Sequence, residues 1–144
     1  MLALAGSDAD GTLTYFVPPE HTAEARSIVG EGKWVCAEQP GVARNRPGQG
    51  AGPRRAYMKF YLTLPANQKN LGALGFSQAD LADGGSDRLF DAIVAWGDEA
   101  KLRARVEAHY KAGATHVCIL PLNAAGELVP DLETLRGPWL QSSS

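Results

Sequence analysis

Short apolar segments alternate with amphipathic ones along most of this chain. Segments rich in β-branched, aromatic and aliphatic residues predict three strands, at residues 11–17, 33–37 and 115–120. Between the first two, Pro19 opens a predicted helix that Gly30 ends. Before the third, Asp98 caps a helix that Gly113 ends. Strand, helix and strand follow at the spacing that a parallel sheet requires, so the pattern predicts an α/β fold of consecutive βα units.

The same succession is typical of a parallel (β/α)8 barrel of the TIM type. Such a barrel takes roughly 250 residues to close, whereas this chain has 144 residues. We therefore expect residues 1–144 to form a single partial domain. Its three predicted strands should lie parallel in one sheet, with helices on one face of that sheet.

The remaining segments predict helices, a loop and a tail. Residues 54–64 place Tyr57, Phe60, Tyr61 and Leu64 on one helical face, which indicates a core stripe. Other helical segments are expected at residues 1–5, 67–76, 77–80 and 131–135, and residues 89–96 fit a helix slightly better than a strand. Residues 44–53 predict a loop rich in Gly and Pro, and residues 141–144 a loose tail.

Composition and charge narrow the classes of partner. Hydrophobic residues make up 44% of the chain and charged residues 21%, which is typical of globular proteins, and the formal net charge is −2. This balance does not favour nucleic acid or an anionic membrane as a partner. The first residues lack a basic leader and are too short for a membrane span, so we expect a cytoplasmic protein. Cys36 and Cys118 stand in apolar segments, which indicates two reduced, buried thiols.

The sequence contains no complete catalytic or metal-binding motif. His21, His109 and His116 have no metal-ligand spacing to one another, and we expect no metal site. We expect His109 to be a partly exposed helix residue and His116 to open the last strand. His21 follows a strand end, at the rim where barrel enzymes collect catalytic groups, but a role at the helix start beside Glu20 is the favoured interpretation.

Several segments, taken in order, resemble the C-terminal half of luciferase-like oxidoreductases, in the branch that uses the deazaflavin coenzyme F-420. They are MLALA at residues 1–5, ADG at 9–11, YFVPPEHTAEAR at 15–26, FYL at 60–62, LP at 64–65, NL at 70–71, LGF at 74–76, and the block 85–118 from GSDR to VC. The resemblance implies an eight-stranded parallel β/α barrel that transfers a hydride between the deazaflavin and a small organic substrate. The same barrel also serves flavin mononucleotide (FMN), so an FMN-dependent monooxygenase is the alternative.

The resemblance also assigns site residues. Asp10 and Gly11 match the turn before the strand that ends near the coenzyme tail, and Tyr15 and Phe16 match the strand end that borders the pocket. These four are the expected cofactor-binding residues. Residues 44–53 depart from the family, in which a charged helix start tends to occupy this position.

Asn67 and Asn70 match a polar segment that relatives place over the substrate side, and they are the expected substrate-binding residues. Relatives carry a further stretch before the position of Met1, which holds about half of the barrel strands, much of the coenzyme pocket and the usual catalytic acid or base. The catalytic residues of this chain therefore stay unassigned. We expect the isolated chain to bind coenzyme F-420 and FMN weakly or not at all, and a non-catalytic, truncated remnant is a further alternative.

Half a barrel leaves strand edges unpaired and one sheet face uncovered. Residues 12–17 and 115–120 would offer free backbone amides and carbonyls to a second chain. We therefore expect self-association, as a homodimer that shields Tyr15, Phe16, Val117 and Ile119.

Overall fold

The computed structural model describes residues 1–43 and 52–122. Its helices and strands, in chain order, are α1 (Leu2–Asp8), β1 (Gly11–Thr14), α2 (Pro19–Val29), β2 (Trp34–Ala43), α3 (Gly52–Leu62), α4 (Pro65–Ala73), α5 (Gln78–Leu81), α6 (Asp87–Ile93), β3 (Ala95–Gly97), α7 (Glu99–Lys111) and β4 (His116–Pro121). The predicted helix at 131–135, the tail at 141–144 and residues 44–51 of the predicted loop lie outside the described residues. Residues 52 and 53, also predicted as loop, begin α3 instead. None of the described helices is both long and apolar enough to cross a membrane.

The four strands form one sheet in which every pair is parallel. Cys36 of β2 pairs with Leu13 on one side and with His116 on the other. Farther along β2, Gly41 pairs with both Ala95 and Pro121. β1 and β3 therefore lie end to end along one side of β2, and β4 lies along the other. The predicted α/β fold with three parallel strands is confirmed.

Two predicted strands have different lengths in the structure. β1 ends at Thr14 rather than at residue 17, because Phe16 has a left-handed backbone (φ 56°) and Pro18 follows it. β2 extends to Ala43 rather than ending at residue 37, since its length pairs with three other strands. The end of β2 is set by strands that are distant in sequence, and the residues of β2 itself do not show which strands these are.

The segment 89–96, which fits a helix slightly better than a strand, contains both. Its first part belongs to α6, whose cap Ser86 accepts a hydrogen bond from the amide of Leu89. Val94 then adopts an extended backbone (φ −102°, ψ 123°), and β3 begins at the next residue. The prediction was wrong for the end of the segment, because three residues of strand are too short to show a period.

The two faces of the sheet have different surroundings. Val35, Ala37 and Gln39 on one face of β2 are at most 1% exposed, and Val35 packs against Ala25 and Val29 of α2. Residues of a strand alternate between faces, so the intervening residues of β2 and the residues paired with them lie on the opposite face. This opposite face, named here the open face, includes Leu13, Trp34, Cys36, Glu38 and Cys118.

Exposure on the open face corrects the prediction for β4 and the cysteines. Leu13 is 63% exposed and Trp34 is 53% exposed. Cys118 is exposed and Cys36 is half-buried, so the predicted burial of both thiols was wrong, although both cysteines are free. The apolar composition of β4 does not distinguish a strand buried on both faces from one with a single covered face.

The main core lies where α3 and α6 meet the carboxyl end of the sheet. It contains Phe16, Met58, Leu89 and Ile93, which are at most 1% exposed. The predicted aromatic stripe of α3 is only partly buried: Tyr57 is 3% exposed, whereas Phe60 is 55% exposed. Met58 and Leu62 occupy buried positions on this helix as well, so the buried face of α3 is rotated from the predicted stripe.

His109 is fully buried between α7 and the sheet, which contradicts its prediction as a partly exposed residue. Its Nε2 lies 2.9 Å from Gln39 Oε1, and its Nδ1 lies 2.9 Å from Thr22 Oγ1. Gln39 donates its amide nitrogen to two backbone carbonyls, so its oxygen accepts from Nε2–H and Nδ1 is left to accept from Thr22. The neutral imidazole thus joins α2, β2 and α7.

Candidate functional site

A cluster of aromatic side chains lies at the carboxyl end of β1, the edge where parallel α/β sheets bind ligands. The aromatic cluster consists of Tyr15, Phe16, Tyr57 and Tyr61. The ring centroids of Phe16 and Tyr61 are 4.9 Å apart in a stacked arrangement, and those of Tyr57 and Tyr61 are also 4.9 Å apart. Tyr15 lies 5.9 Å from Tyr61 and is 44% exposed, so the cluster reaches the surface there.

The chain reaches this position through a sharp turn after β1. The left-handed backbone of Phe16 buries its ring among the residues of α3, whereas the neighbouring Tyr15 stays partly exposed. Such a conformation is unfavourable for a bulky residue, and packing against Tyr57 and Tyr61 offsets its cost. Of the two predicted cofactor-binding residues, Tyr15 therefore lies at the surface, whereas the ring of Phe16 lies in the core beneath it and is 1% exposed.

Glu38 contributes a half-buried carboxyl from the open face of β2. Within the described part of the chain, its Oε1 and the hydroxyl of Tyr57 are buried and have no hydrogen-bond partner. Burial raises the pKa of the Glu38 carboxyl. Burial, and then the charge of Glu38, raise the pKa of both Tyr57 and Tyr61. A carboxyl that holds its proton more readily than usual thus lies near the aromatic cluster.

Asp10 and Gly11 lie at the other end of β1. At about 3.3 Å per residue, Gly11 and Tyr15 are separated by about 13 Å along the chain. The carbonyl of Asp10 accepts a 2.9 Å hydrogen bond from the amide of Trp34, and the Asp10 side chain is exposed. A Cβ at Gly11 would lie 2.2 Å from the carbonyl oxygen of Trp34. The close approach of β1 to β2 therefore explains Gly11 without a ligand, and the structure does not bring these two residues to the aromatic cluster.

Asn67 and Asn70 both lie on α4 but in different surroundings. Asn67 is 6% exposed, and its amide nitrogen donates a 3.0 Å hydrogen bond to the carbonyl of Tyr61 at the end of α3. Asn70 has an exposed side chain. Asn67 positions the carbonyl end of the helix that carries Tyr57 and Tyr61, so its contact to the site is indirect. Their assignment to the substrate side stays a prediction.

His21 lies in the first turn of α2, as the favoured interpretation expects. It is 7% exposed, its backbone amide donates to the carbonyl of Pro18 at 3.1 Å, and its Nδ1 has no partner among the described residues. Burial lowers the pKa of this imidazole, and the charge of Glu24 opposes that shift. No group of three or more possible metal ligands is found in the described ranges.

A separate cavity of about 560 Å³ lies at the amino ends of β2 and β4, lined by residues that include Arg26, Trp34 and His116. The guanidinium of Arg26 donates to the carbonyls of Gly113, Gly30 and Lys33 at 2.6–3.0 Å. The described hydrogen bonds of Arg26 therefore connect parts of the fold to one another. This edge is the one that parallel barrels use for stability rather than chemistry.

Sequence reasoning missed Glu38 and Tyr57 as functional candidates. Glu38 stands inside an apolar strand, where a charged residue is unusual, and that irregularity was the available signal. Tyr57 was assigned to the core stripe, which its burial supports. Whether the Tyr57 hydroxyl has a hydrogen-bond partner depends on which strand faces α3, and only the three-dimensional arrangement shows this.

Comparisons with known proteins identify a similar fold but no family. The sequence matches no model of a known protein family, and a search of curated proteins finds no match. Among solved structures, the chain is similar to the coenzyme F-420 dependent tetrahydromethanopterin reductase from Methanopyrus kandleri, with a TM-score of 0.57 and 17% sequence identity. The match covers 83% of this chain and 41% of that chain. The chain thus has the fold of part of a parallel α/β enzyme and spans less than half of that enzyme's length.

Proposed function

We propose that this chain is part of an oxidoreductase barrel of the luciferase-like type, which transfers a hydride between the deazaflavin coenzyme F-420 and a small organic substrate. The observation that carries the proposal is the aromatic cluster at the carboxyl end of β1, next to the two unpartnered oxygens of Glu38 and Tyr57. The structural similarity to a coenzyme F-420 dependent reductase supports it.

The residues of this edge fit a planar heteroaromatic cofactor. Aromatic side chains favour offset or edge contacts with another ring, and Tyr15 and Tyr61 are the members of the cluster that remain partly exposed. Unpartnered buried oxygens are the groups that a polar ligand would satisfy. A bound deazaflavin would supply the hydride acceptor or donor, and the protein would supply the ring surface and the polar groups beside it.

FMN is the alternative cofactor, because the same aromatic surface suits either ring system. The proposed partners are a small-molecule substrate and a second copy of the chain, and the proposed location is the cytoplasm. Asp10, Gly11, Asn67 and Asn70 are proposed to act at the cofactor tail and the substrate side. Among the described hydrogen bonds, Asn67 contacts the aromatic cluster only through the backbone carbonyl of Tyr61, and Asp10, Gly11 and Asn70 have no hydrogen bond to it.

Saturation-transfer NMR with coenzyme F-420 and, separately, with FMN tests the proposal, because the method detects the weak binding expected of a partial pocket. We expect saturation of the protein to reach the ring protons of coenzyme F-420. Tyr15→Ala should abolish this transfer, because Tyr15 is the exposed ring of the cluster. Tyr110→Ala is the matched control, since Tyr110 is 50% exposed on α7, away from the cluster.

Each result has a defined meaning. Saturation transfer to FMN but not to coenzyme F-420 would show that the site binds a flavin rather than a deazaflavin. Equal transfer in Tyr15→Ala and Tyr110→Ala would contradict the location of the site. No transfer from wild-type protein to either probe would overturn the proposed cofactor site and favour a non-catalytic role.

A further inference from the structure

A further cavity lies at the carboxyl edge of the sheet, where α2 begins after β1. Its volume is about 300 Å³. The lining comes from the start of α2, the turn after α4, and α6, which contribute Pro18 and Glu20, Leu74 and Phe76, and Arg88 and Ala92 respectively. Three elements therefore enclose a space at the lower end of the volumes that small-molecule sites occupy.

Arg88 is held at this cavity by two contacts. Its Nη1 donates a 3.0 Å hydrogen bond to Asp80 Oδ2, and its guanidinium lies over the ring of Phe76, 4.6 Å from the centroid. Asp80 is fixed in turn by the amide of Ser77 and by the hydroxyls of Ser86 and Ser77, and these hydrogen bonds lower the pKa of its carboxyl to about 2. The other N–H groups of Arg88 donate to no described residue. A guanidinium with fixed orientation and free donors therefore lines the cavity.

Glu20 supplies the opposite charge. Its side chain is exposed and forms no ion pair with any residue in the described part of the chain. The charge of Glu20 opposes the lowering of the Arg105 pKa by burial, but the Arg105 guanidinium donates to the backbone carbonyls of Asp91 and Ala92. Arg88 and Glu20 thus line one cavity without pairing with each other.

We propose that this cavity binds a free amino acid with an apolar side chain. Arg88 would bind the carboxylate of the ligand and Glu20 its ammonium group, while the side chain would lie against the apolar lining of Leu74, Phe76 and Pro18. The inference goes beyond the proposed function and does not rest on it, because no residue of the aromatic cluster lines this cavity.

A ligand that carries both charges fits the cavity better than one that carries a single charge. An anion would be attracted by Arg88 and repelled by Glu20, and for a cation the two effects are reversed. A guanidinium can bind a carboxylate through two parallel hydrogen bonds, and an ammonium group donates to a carboxylate. A neutral apolar molecule would displace water from both charged groups without replacing its hydrogen bonds.

Ligand-observed NMR titrations with L-leucine, isocaproate and isoamylamine test the inference. All three probes carry the same branched apolar group, but isocaproate lacks the ammonium group and isoamylamine lacks the carboxylate. We expect wild-type protein to bind L-leucine between about twofold and fivefold more tightly than either single-charge probe, which is the contribution of one exposed ion pair.

Two variants that remove a charge should change the preference in opposite directions. Glu20→Gln should weaken the binding of L-leucine and strengthen that of isocaproate, because it removes the repulsion of the anion. Arg88→Gln should weaken the binding of L-leucine and strengthen that of isoamylamine. Glu24→Gln on α2 and Arg103→Gln on α7 are the matched controls, since neither residue lines the cavity, and both should keep the wild-type order.

The gain of binding for one probe separates a lost contact from a lost fold, because a misfolded variant would lose all three probes. Loss of L-leucine binding in Glu20→Gln without a gain for isocaproate would overturn the inference. Equal binding of L-leucine and either single-charge probe by wild type, or no detectable binding of L-leucine, would also overturn it. Tyr15→Ala should bind L-leucine as wild type does, and weaker binding by this variant would contradict the location of the site.

Discussion

His109 illustrates, at the scale of one residue, how burial sets protonation. Burial, and then the nearby charge of Arg105, lower the pKa of His109 to about 4. The unfolded chain therefore binds a proton at this histidine at a higher pH than the folded chain does. Stability from the neutral imidazole is complete above the unfolded pKa of 6.5 and is lost as the pH falls toward 4.

We predict that His109 makes the free energy of unfolding fall by about 2–3 kcal/mol between about pH 7.5 and pH 4.5. The lowered pKa of His21 acts in the same direction, and the raised pKa of Glu38 acts in the opposite one.

Urea unfolding of wild type and His109→Gln across this range isolates the contribution of His109. The difference between the two proteins should shrink as the pH falls. Tyr110→Gln, on the exposed side of the same helix, should keep the wild-type profile, and a constant difference for His109→Gln would contradict the prediction.

Arg26 connects elements through backbone carbonyls. Its guanidinium binds Gly113 after α7, Gly30 after α2 and Lys33 before β2, with donor–acceptor distances of 2.6–3.0 Å. A Lys ammonium cannot reproduce this planar set of donors. The turn regions at the amino edge of the sheet therefore depend on one side chain.

We predict that Arg26→Lys lowers the free energy of unfolding by about 2 kcal/mol, because hydrogen bonds from a charged donor to half-buried carbonyls are lost. Arg103→Lys is the matched control. Arg103 forms an exposed ion pair with Glu99 on α7, at 2.7 Å, and such pairs contribute less than about 1 kcal/mol. Chemical denaturation measures both variants. Equal losses would show that the carbonyl contacts of Arg26 contribute no more than a surface pair.

Two glycines give a second test at the scale of elements. At Gly11 a Cβ would lie 2.2 Å from a backbone oxygen of β2, whereas at Gly72 of α4 it would meet no atom within 4 Å. Gly11→Ala must therefore separate β1 from β2. Gly72→Ala should raise the free energy of unfolding by about 0.5–1 kcal/mol, because Ala restricts the unfolded chain and favours helix.

We expect Gly11→Ala to lower the unfolding free energy by more than about 2 kcal/mol, as overpacking against backbone does. Thermal and urea unfolding of both variants provide the measurement. A stable Gly11→Ala protein that fails only in cofactor binding would favour the ligand role that the resemblance implies over the packing role that the structure indicates.

At the scale of the whole molecule, the open face of the sheet is uncovered toward its amino end, whereas Pro40 and the Oε1 of Glu38 farther along this face are buried. Leu13 is 63% exposed and Trp34 is 53% exposed on the open face, and β1 and β4 have no further strand beside them in the described part of the chain. The structure alters the residues expected at a dimer interface. Phe16 is already buried within the chain. Val117 and Ile119 pair with Ala37 and Gln39, whose side chains face the helices. Tyr15 stays partly exposed, and Leu13 takes the place of the other three residues.

We predict that the chain self-associates through the open face, and that Leu13→Asp dissociates the assembly because it places a charge in the interface. Light scattering coupled to gel filtration, at several protein concentrations, measures the mass. Ile28→Asp is the matched control, since Ile28 is 42% exposed on α2 and lies outside this face. A wild-type monomer at every concentration, with a cooperative melt, would contradict the prediction.

Local sequence alone determined the parts of this protein that depend on neighbours along the chain. Asp98 caps α7 where predicted, because its side chain accepts a hydrogen bond from the amide three residues later. Pro19 opens α2 and Gly30 follows its end for similarly local reasons. The parallel arrangement of the predicted strands followed from short βα links, which allow few other topologies.

Tertiary structure alone decided everything that depends on residues distant in sequence. The length of β2, the burial of His109 and the exposure of Cys118 each depend on which element packs against them. The candidate site belongs to this second group. Tyr15 lies in the turn after β1, Glu38 on β2 and Tyr57 on α3, and no local pattern brings them together. Apolar composition indicates that a side chain prefers burial, whereas only packing determines which face is covered and which polar atoms are left without a partner.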